Sequence, residues 1–110
     1  MKRGEIWLVD LEPTSGREQQ GRRPVLVIST EPFAKTTGVA LICPITGGGN
    51  LARDAGFAVS LATTGLRTTG VIVVSQMRMV DLKARKAKRV EAVPDFIVDE
   101  VLAKAQTILD

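Results

Sequence analysis

Residues 21–29 read Gly21-Arg22-Arg23-Pro24-Val25-Leu26-Val27-Ile28-Ser29. The stretch Val25 to Ser29 begins with four apolar residues, which is typical of a buried strand. Arg23 stands just before this strand, after a polar loop that includes Glu12 to Arg22. Strand packing gives such a side chain no role, because an arginine is almost never fully buried without a partner. We therefore expect Arg23 to lie at a surface cleft beside a core strand.

Four further stretches have strand composition, and two helices are expected around them. Thr30 offers a cap ahead of Pro32, which favours a short helix or turn to Thr37. The other predicted strands are Glu5–Leu11, Val39–Ile45, Phe57–Leu61 and Gly70–Ser75, with a possible extension over Met77 to Asp81. After Pro94 apolar residues recur at helical spacing: Phe96, Ile97, Val101, Leu102, Ala105, Ile108 and Leu109. This order predicts a mainly β fold, a strongly bent small sheet or barrel closed by a C-terminal helix, in one domain over residues 1–110.

The composition excludes several classes of enzyme. The chain has 110 residues, a net charge of +3, one cysteine, no histidine and no tyrosine. Zinc proteases and hydrolases built on Ser-His-Asp or Cys-His groups need a histidine, so they are excluded. Cys43 lies within an apolar strand and is interpreted as a small core residue. No apolar run is long enough for a membrane span, and we expect a soluble, cytoplasmic protein.

Several motifs occur here in an order and spacing that together resemble one known family. They are Gly4-Glu5-Ile6-Trp7, Asp10-Leu11-Glu12-Pro13-Thr14, Gly16, Glu18-Gln19, Gly21 to Ser29, Pro44-Ile45-Thr46 and the closing helix. With them, the chain resembles the MazF/PemK family of toxin endoribonucleases over nearly its whole length. The motifs Gly48-Gly49-Asn50, Ala52-Arg53, Ala55-Gly56-Phe57 and Asp81 to Arg85 are similar to the Kid (PemK) and ChpB branches of that family.

The resemblance implies a fold, an activity and partners. The implied fold is an SH3-like small barrel of the CcdB/MazF type that forms a homodimer. The implied activity is that of an mRNA interferase, the toxin of a toxin-antitoxin pair, which cleaves single-stranded RNA at short sequences with no metal or cofactor. A cognate antitoxin is the implied inhibitor. By position, the family's catalytic arginine and threonine fall on Arg23 and Thr46, and Glu18 and Gln19 fall in its substrate-binding loop.

The chemistry of these residues fits cleavage through the ribose 2′-hydroxyl. That reaction needs a proton acceptor, donors for the charged phosphate oxygens and a proton source for the leaving oxygen. Arg23 offers planar paired donors that match a phosphate, and Thr46 can hold a hydroxyl against the reacting atoms. Glu18 could be the base, or it could equally orient Arg23 or bind a nucleobase. Arg23 could instead tie the loop to a carboxylate, and Thr46 could simply cap a strand end.

A second set of polar and aromatic residues is predicted to bind RNA. Amide and hydroxyl groups read unpaired bases, and an aromatic ring can stack on one. The predicted substrate-binding residues are Arg17, Gln19, Gln20, Asn50, Phe57, Thr69, Ser75 and Gln76, together with Lys86 in the basic run Lys83 to Arg89. Phe57 could be a core residue instead, and the basic run could be no more than a solvated face.

Two other functions remain open at this point. The Kid branch carries His, Arg and Asp where this chain has Arg17, Val73 and Ser75. Either Arg23 and Thr46 carry the reaction, or the protein is a module that binds RNA and cuts poorly. A CcdB-like poison of DNA gyrase is the other alternative, although residues 106–110 do not show the terminal pattern of that family.

Overall fold

In the computed structural model the chain is described over residues 1–11, 22–47, 56–81 and 86–110. These parts form seven strands and two α-helices. In chain order they are β1 (Glu5–Val9), β2 (Arg23–Val27), α1 (Glu31–Thr37), β3 (Val39–Thr46), β4 (Ala58–Ser60), β5 (Val71–Val73), β6 (Arg78–Asp81), β7 (Lys88–Ala92) and α2 (Asp95–Leu109). A single 3₁₀ turn, Val74–Gln76, joins β5 to β6.

All seven strands belong to one antiparallel sheet whose order is β4-β5-β3-β2-β1-β7, with β6 also paired to β3. The long strand β3 pairs with three other strands. Along one edge it pairs with β2, and along the other edge it pairs first with β6 and then, at Ile45 and Thr46, with β5. The mainly β architecture with a C-terminal helix confirms the predicted fold class.

The core has two parts, because β2 and β3 are buried on both faces. Leu26 and Cys43 point into a large cluster with the apolar side of α2, whereas Val25, Val27 and Ile42 point into a smaller cluster on the opposite face. Full burial of such a side chain stabilises the fold by roughly 1.5–3 kcal/mol. Burial also raises the pKa of the Cys43 thiol to about 12. The prediction that Cys43 is a core residue is therefore confirmed.

Two predictions for strands need correction. Gly70–Ser75 with its extension is not one strand, because the 3₁₀ turn after β5 redirects the chain and β6 pairs with the other half of β3. The strand β7 was not predicted at all. Its sequence, Lys88-Arg89-Val90-Glu91-Ala92, has three charged residues and only a short apolar alternation, and it forms because it pairs with β1 at the edge of the sheet.

The helix α2 packs with a narrower apolar face than its sequence predicts. Ile97, Val101 and Ala105, spaced four residues apart, are buried. Phe96 and Leu109, predicted on the same stripe, are 57% and 79% exposed. These two side chains are therefore not part of the buried face of the helix. Among the described residues, no helix combines the length and the apolar character needed to cross a bilayer.

Candidate active-site cleft

The register of four strands brings distant parts of the sequence to one place. Val9 at the end of β1 is opposite Arg23 at the beginning of β2. Next to it, Val25 is opposite Pro44 near the end of β3. On the other edge of β3, Thr46 is opposite Val71, the first residue of β5. Two strand ends and two strand beginnings therefore meet at the same end of the sheet.

An open cavity of about 490 Å³ lies at this junction. Arg23, Thr46 and Thr69 line it, and all three are exposed. Its other lining residues are Leu11, Pro24, Pro44, Ile45 and Gly47. The cleft thus combines a guanidinium, two hydroxyls and an apolar wall, which is a mixture suited to a ligand with both phosphate groups and flat rings.

Gly70 packs closely against the backbone of Thr46. Its φ angle is +117°, and a Cβ atom at this position would overlap the carbonyl oxygen of Thr46. Only a glycine allows the two backbones to approach so closely. Gly70 also accepts a hydrogen bond from the backbone N–H of Leu61, at 3.0 Å. Thr46, the last residue of β3, therefore packs tightly against the segment just before β5.

Glu91 holds the segment that carries Thr69. Its carboxylate accepts hydrogen bonds from the Arg67 N–H at 3.2 Å, from the Thr68 N–H at 2.7 Å and from the Thr68 hydroxyl at 2.7 Å. Burial of the Glu91 carboxyl opposes ionisation, but these hydrogen bonds and the Arg67 charge outweigh burial and lower its pKa. The edge strand β7 is thereby joined to the residues that lead into β5.

Four of the predicted substrate-binding residues are described but do not line this cavity. Phe57 is half-buried and packs against the large core cluster. Ser75 and Gln76 are exposed in the 3₁₀ turn, and Lys86 is exposed before β7 with a φ angle of +50°. Arg17, Glu18, Gln19, Gln20 and Asn50 lie outside the described residues.

The sequence alone did not point to three residues that line the cleft or support it: Pro44, Gly70 and Glu91. Gly70 is a lone glycine ahead of an apolar run, a pattern that can mark a close backbone approach. Pro44 belongs to the motif Pro44-Ile45-Thr46, but nothing in that motif predicts that Pro44 lines the cleft. Nothing local in the sequence marks Glu91, because its partners are 23 and 24 positions away. Within the described ranges, no group of three or more His, Cys, Asp or Glu side chains could hold a metal ion.

Comparison with protein families matches residues 2–109 to the family described as PemK-like, MazF-like toxin of type II toxin-antitoxin system. The chain is 55% identical over 109 residues to endoribonuclease PemK of Escherichia coli, covering 99% of this chain and 82% of that protein. It is 46% identical over 110 residues to endoribonuclease toxin ChpB of E. coli K12, covering 99% and 94%.

Solved structures show the same fold. A crystal structure of MazF from Deinococcus radiodurans aligns with a TM-score of 0.83 at 29% identity, covering 99% of this chain and 96% of that one. A MazE-MazF crystal structure from the same organism aligns with a TM-score of 0.84 at 28% identity, covering 99% and 95%.

Proposed function

Because the chain belongs to the PemK-like, MazF-like toxin family of type II toxin-antitoxin systems, it is an endoribonuclease toxin, and we propose that it cuts RNA in the cleft of Arg23, Thr46 and Thr69. The observation that carries this assignment is the strand register, which brings the beginning of β2 and the end of β3 to one open cavity. The similarity to endoribonucleases also favours this activity over a CcdB-like gyrase poison.

The proposed reaction is an internal transfer that needs no metal ion. The ribose 2′-oxygen attacks the adjacent phosphorus, and the bond from phosphorus to the 5′-oxygen breaks. A base takes the proton of the 2′-hydroxyl, and an acid returns a proton to the leaving 5′-oxygen. The products are a 2′,3′-cyclic phosphate and a free 5′-hydroxyl. Only a strand that is unpaired at the cut can adopt the in-line geometry this attack needs, so we propose single-stranded RNA as the substrate.

Arg23 has the role of stabilising charge on the phosphate. Its side chain is exposed in the cleft at the first position of β2, and its planar guanidinium can donate two parallel hydrogen bonds to phosphate oxygens. A guanidinium stays protonated at neutral pH, so it is a poor general base. Donors fixed in advance at developing charge supply a large share of many enzymatic rate enhancements.

Thr46 has the role of orienting the reacting group. Its backbone pairs with β5 and packs closely against Gly70, so two neighbouring segments set the position of its backbone. The hydroxyl of an exposed residue in this position can bind the 2′-oxygen or a phosphate oxygen of the bound strand.

We propose Glu18 as the base. In the sequence it lies between Leu11 and Arg23, two described residues that both line the cleft. A carboxylate is a group that can accept the proton of the 2′-hydroxyl. Arg17, Gln19, Gln20 and Asn50 remain proposed contacts to the bases, as do Phe57, Thr69, Ser75 and Gln76.

The proposed partners are single-stranded mRNA, a second copy of the chain and a cognate antitoxin. The MazE-MazF crystal structures from D. radiodurans support an antitoxin, since they align over 99% of this chain. Large apolar side chains that are half exposed, Met79 at 50% and Phe96 at 57%, support a contact with another chain. We propose that the 110 residues act as one domain in the cytoplasm, where mRNA is translated.

The test is cleavage of a mixed-sequence RNA in EDTA beside the same sequence carrying 2′-deoxyribose throughout. We expect cuts at defined sites in the RNA alone, leaving cyclic phosphate or 3′-phosphate ends. Arg23→Ala and Thr46→Ala should each lower the cleavage rate by orders of magnitude. The control is Arg22→Ala, which removes an exposed arginine next to Arg23 that does not line the cavity.

Three results would contradict the proposal. Cleavage of the deoxy strand would remove the 2′-hydroxyl from the mechanism. Wild-type rates in Arg23→Ala or Thr46→Ala would remove that residue from it. Tight RNA binding by the folded wild type with no product would indicate a binding module instead of a nuclease.

A further inference from the structure

A second cavity of about 350 Å³ adjoins the cleft. The two cavities share Pro24 and Thr69 as lining residues. The second one is completed by Leu8, Arg67, Thr68 and Val90. Leu8 of β1 and Pro24 of β2 are register partners, so their side chains lie on the same face of the sheet. If the phosphate that is cut lies at Arg23, a neighbouring nucleotide of the RNA strand would lie at this second cavity.

Hydrogen bonds hold the residues that line this second cavity in place. The Arg67 Nη2 donates a hydrogen bond to the carbonyl oxygen of Val90 at 3.1 Å. The Thr68 hydroxyl and N–H both donate to Glu91. These contacts span 23 positions in the sequence and join the segment before β5 to β7. A ligand would therefore meet a preformed surface, which lowers the entropy cost of binding.

The chemistry of this surface suits a flat ring better than a pattern of hydrogen bonds. Leu8, Pro24 and Val90 present apolar surface. The N–H of Arg67 and both donors of Thr68 are already engaged with Glu91, so they cannot read the edge of a base. The Arg67 side chain is exposed, and a guanidinium plane stacks well on a nucleobase.

We propose that this cavity, here called the side pocket, binds the base of one unpaired nucleotide next to the cut site, against its apolar wall and the Arg67 guanidinium. This inference rests on the proposed function of the adjoining cleft. Because stacking tolerates every base, the side pocket should add affinity with little preference for sequence. Recognition of the cut sequence would then come from other contacts.

The experiment is an abasic scan with wild-type protein, Arg67→Ala and Arg67→Lys. The probe is an RNA oligonucleotide containing a cut site that the wild type cleaves, with each nucleotide near the cut replaced in turn by an abasic ribose. We expect one position beside the cut at which base removal raises the wild-type KM about tenfold with little change in kcat. In Arg67→Ala the intact RNA should show that higher KM, and the same abasic position should have no further effect.

Controls separate this effect from charge and folding. Arg67→Lys keeps the charge but not the planar group, so we expect an intermediate KM. Lys35→Ala removes one positive charge from an exposed position on α1 and should keep the wild-type response. Unfolding midpoints of all variants show whether the protein remains folded.

The outcomes are distinct. If Arg67→Ala keeps the full abasic response at every position, or if the sensitive position strongly prefers one base, the side pocket is not the proposed subsite. If wild-type protein cuts no RNA, the proposed function fails and this inference fails with it. Cleavage by wild type that is lost in Arg23→Ala, together with an unchanged scan in Arg67→Ala, overturns the side pocket alone.

Discussion

Arg23 is exposed because β2 becomes fully buried only two residues later, at Val25. The first position of a strand can point a long side chain outward while the strand itself remains in the core. Its neighbour Arg22 is also exposed, but it does not line the cavity. Substitutions at the two arginines therefore distinguish the effect of positive charge from the effect of lining the cavity.

We predict that Arg23→Lys lowers the single-turnover cleavage rate by about 10²–10³-fold, because a lysine keeps the charge but loses the paired donors. Arg22→Lys should change the rate by less than about threefold. Rates are compared at saturating RNA, and unfolding midpoints verify the fold of both variants. Equal rates for Arg23→Lys and wild type would show that charge alone is sufficient.

Gly70 and Gly65 allow a direct comparison of two glycine substitutions. Both have positive φ angles, +117° and +74°, but only a Cβ at Gly70 meets Thr46, whereas a Cβ at Gly65 has nothing within 4 Å. The difference between alanine variants at the two positions therefore reports the close approach to Thr46.

We predict that Gly65→Ala lowers the free energy of unfolding by about 1 kcal/mol, the cost of a left-handed alanine. Gly70→Ala should cost about 3 kcal/mol and also lower kcat, because the end of β3 must move. Denaturant unfolding and cleavage assays measure both. A Gly70→Ala variant with the stability and kcat of Gly65→Ala would show that the backbone relaxes without disturbing Thr46.

Two carboxylates hold the edge strand β7 in place. Glu91 lies within β7 and holds the segment before β5. Glu5 of β1 forms an ion pair with Arg89 of β7, with 2.8 Å between Oε2 and Nε. Glu5 also accepts hydrogen bonds from the Lys2 N–H at 2.8 Å and from the Trp7 Nε1 at 3.0 Å. Contacts to charged groups thus stabilise a polar strand that buries little apolar surface.

Glu5 predicts a dependence of stability on acid. Burial opposes its ionisation, but the hydrogen bonds from Lys2, Arg89 and Trp7 outweigh burial and lower its pKa from 4.5 to about 2. A carboxyl whose pKa is lower in the folded state stabilises the fold above pH 4.5, and this contribution is lost as the pH falls towards 2. Its side chain is only 13% exposed, and the contribution is up to about 3 kcal/mol.

We predict that Glu5→Gln lowers the free energy of unfolding at pH 7 and reduces its decrease between pH 5 and pH 2.5. The measurement is urea unfolding across that range. Glu31→Gln on α1 removes a negative charge at another half-buried position and serves as the control. If Glu5→Gln loses stability with acid as steeply as wild type does, another group is responsible for the acid response.

On the scale of the whole molecule, the net charge of +3 and the sequence pI of about 9.4 favour binding of a polyanion. Lys86 and Lys88 are exposed near the beginning of β7. Contacts between such lysines and phosphates release counterions, so they contribute to affinity in every sequence and make it depend on salt.

We predict that Lys86→Ala weakens RNA binding about equally across sequences and reduces the slope of log K against log salt concentration by about 0.7. Since both residues carry a Cβ, the substitution leaves the positive φ angle of +50° as strained as before. Lys35→Ala on α1 is the control. Binding is titrated from 50 to 200 mM salt. An unchanged slope would show that Lys86 is part of a solvated face and does not contact RNA.

How much of this molecule was predictable depends on how local each feature is. The strand over Val25, the helix α1, the helix α2 and the burial of Cys43 all follow from patterns within a few residues. The strand β7 and the division between β5 and β6 do not, because pairing with β1 and β3 decides them.

The cleft was predictable only in part. Arg23, Thr46 and Thr69 were all expected at a site from the sequence and its family resemblance, and they line one cavity. Glu91 and Gly70 were missed, since each acts through backbone groups of residues far away in the sequence or on another strand. A sequence shows which groups exist, but not which backbone amides and carbonyls they meet.

The fold class, the family and the arginine and threonine that we propose for catalysis can all be inferred from the sequence, because apolar periodicity and the order of motifs are properties of the linear chain. Three-dimensional packing brings the ends of β1 and β3 and the beginnings of β2 and β5 to one cavity, places Gly70 against Thr46, and joins Arg67 and Thr68 to Glu91. The physical reason is that strand register and close backbone contacts depend on the packing of distant residues, which no local pattern encodes.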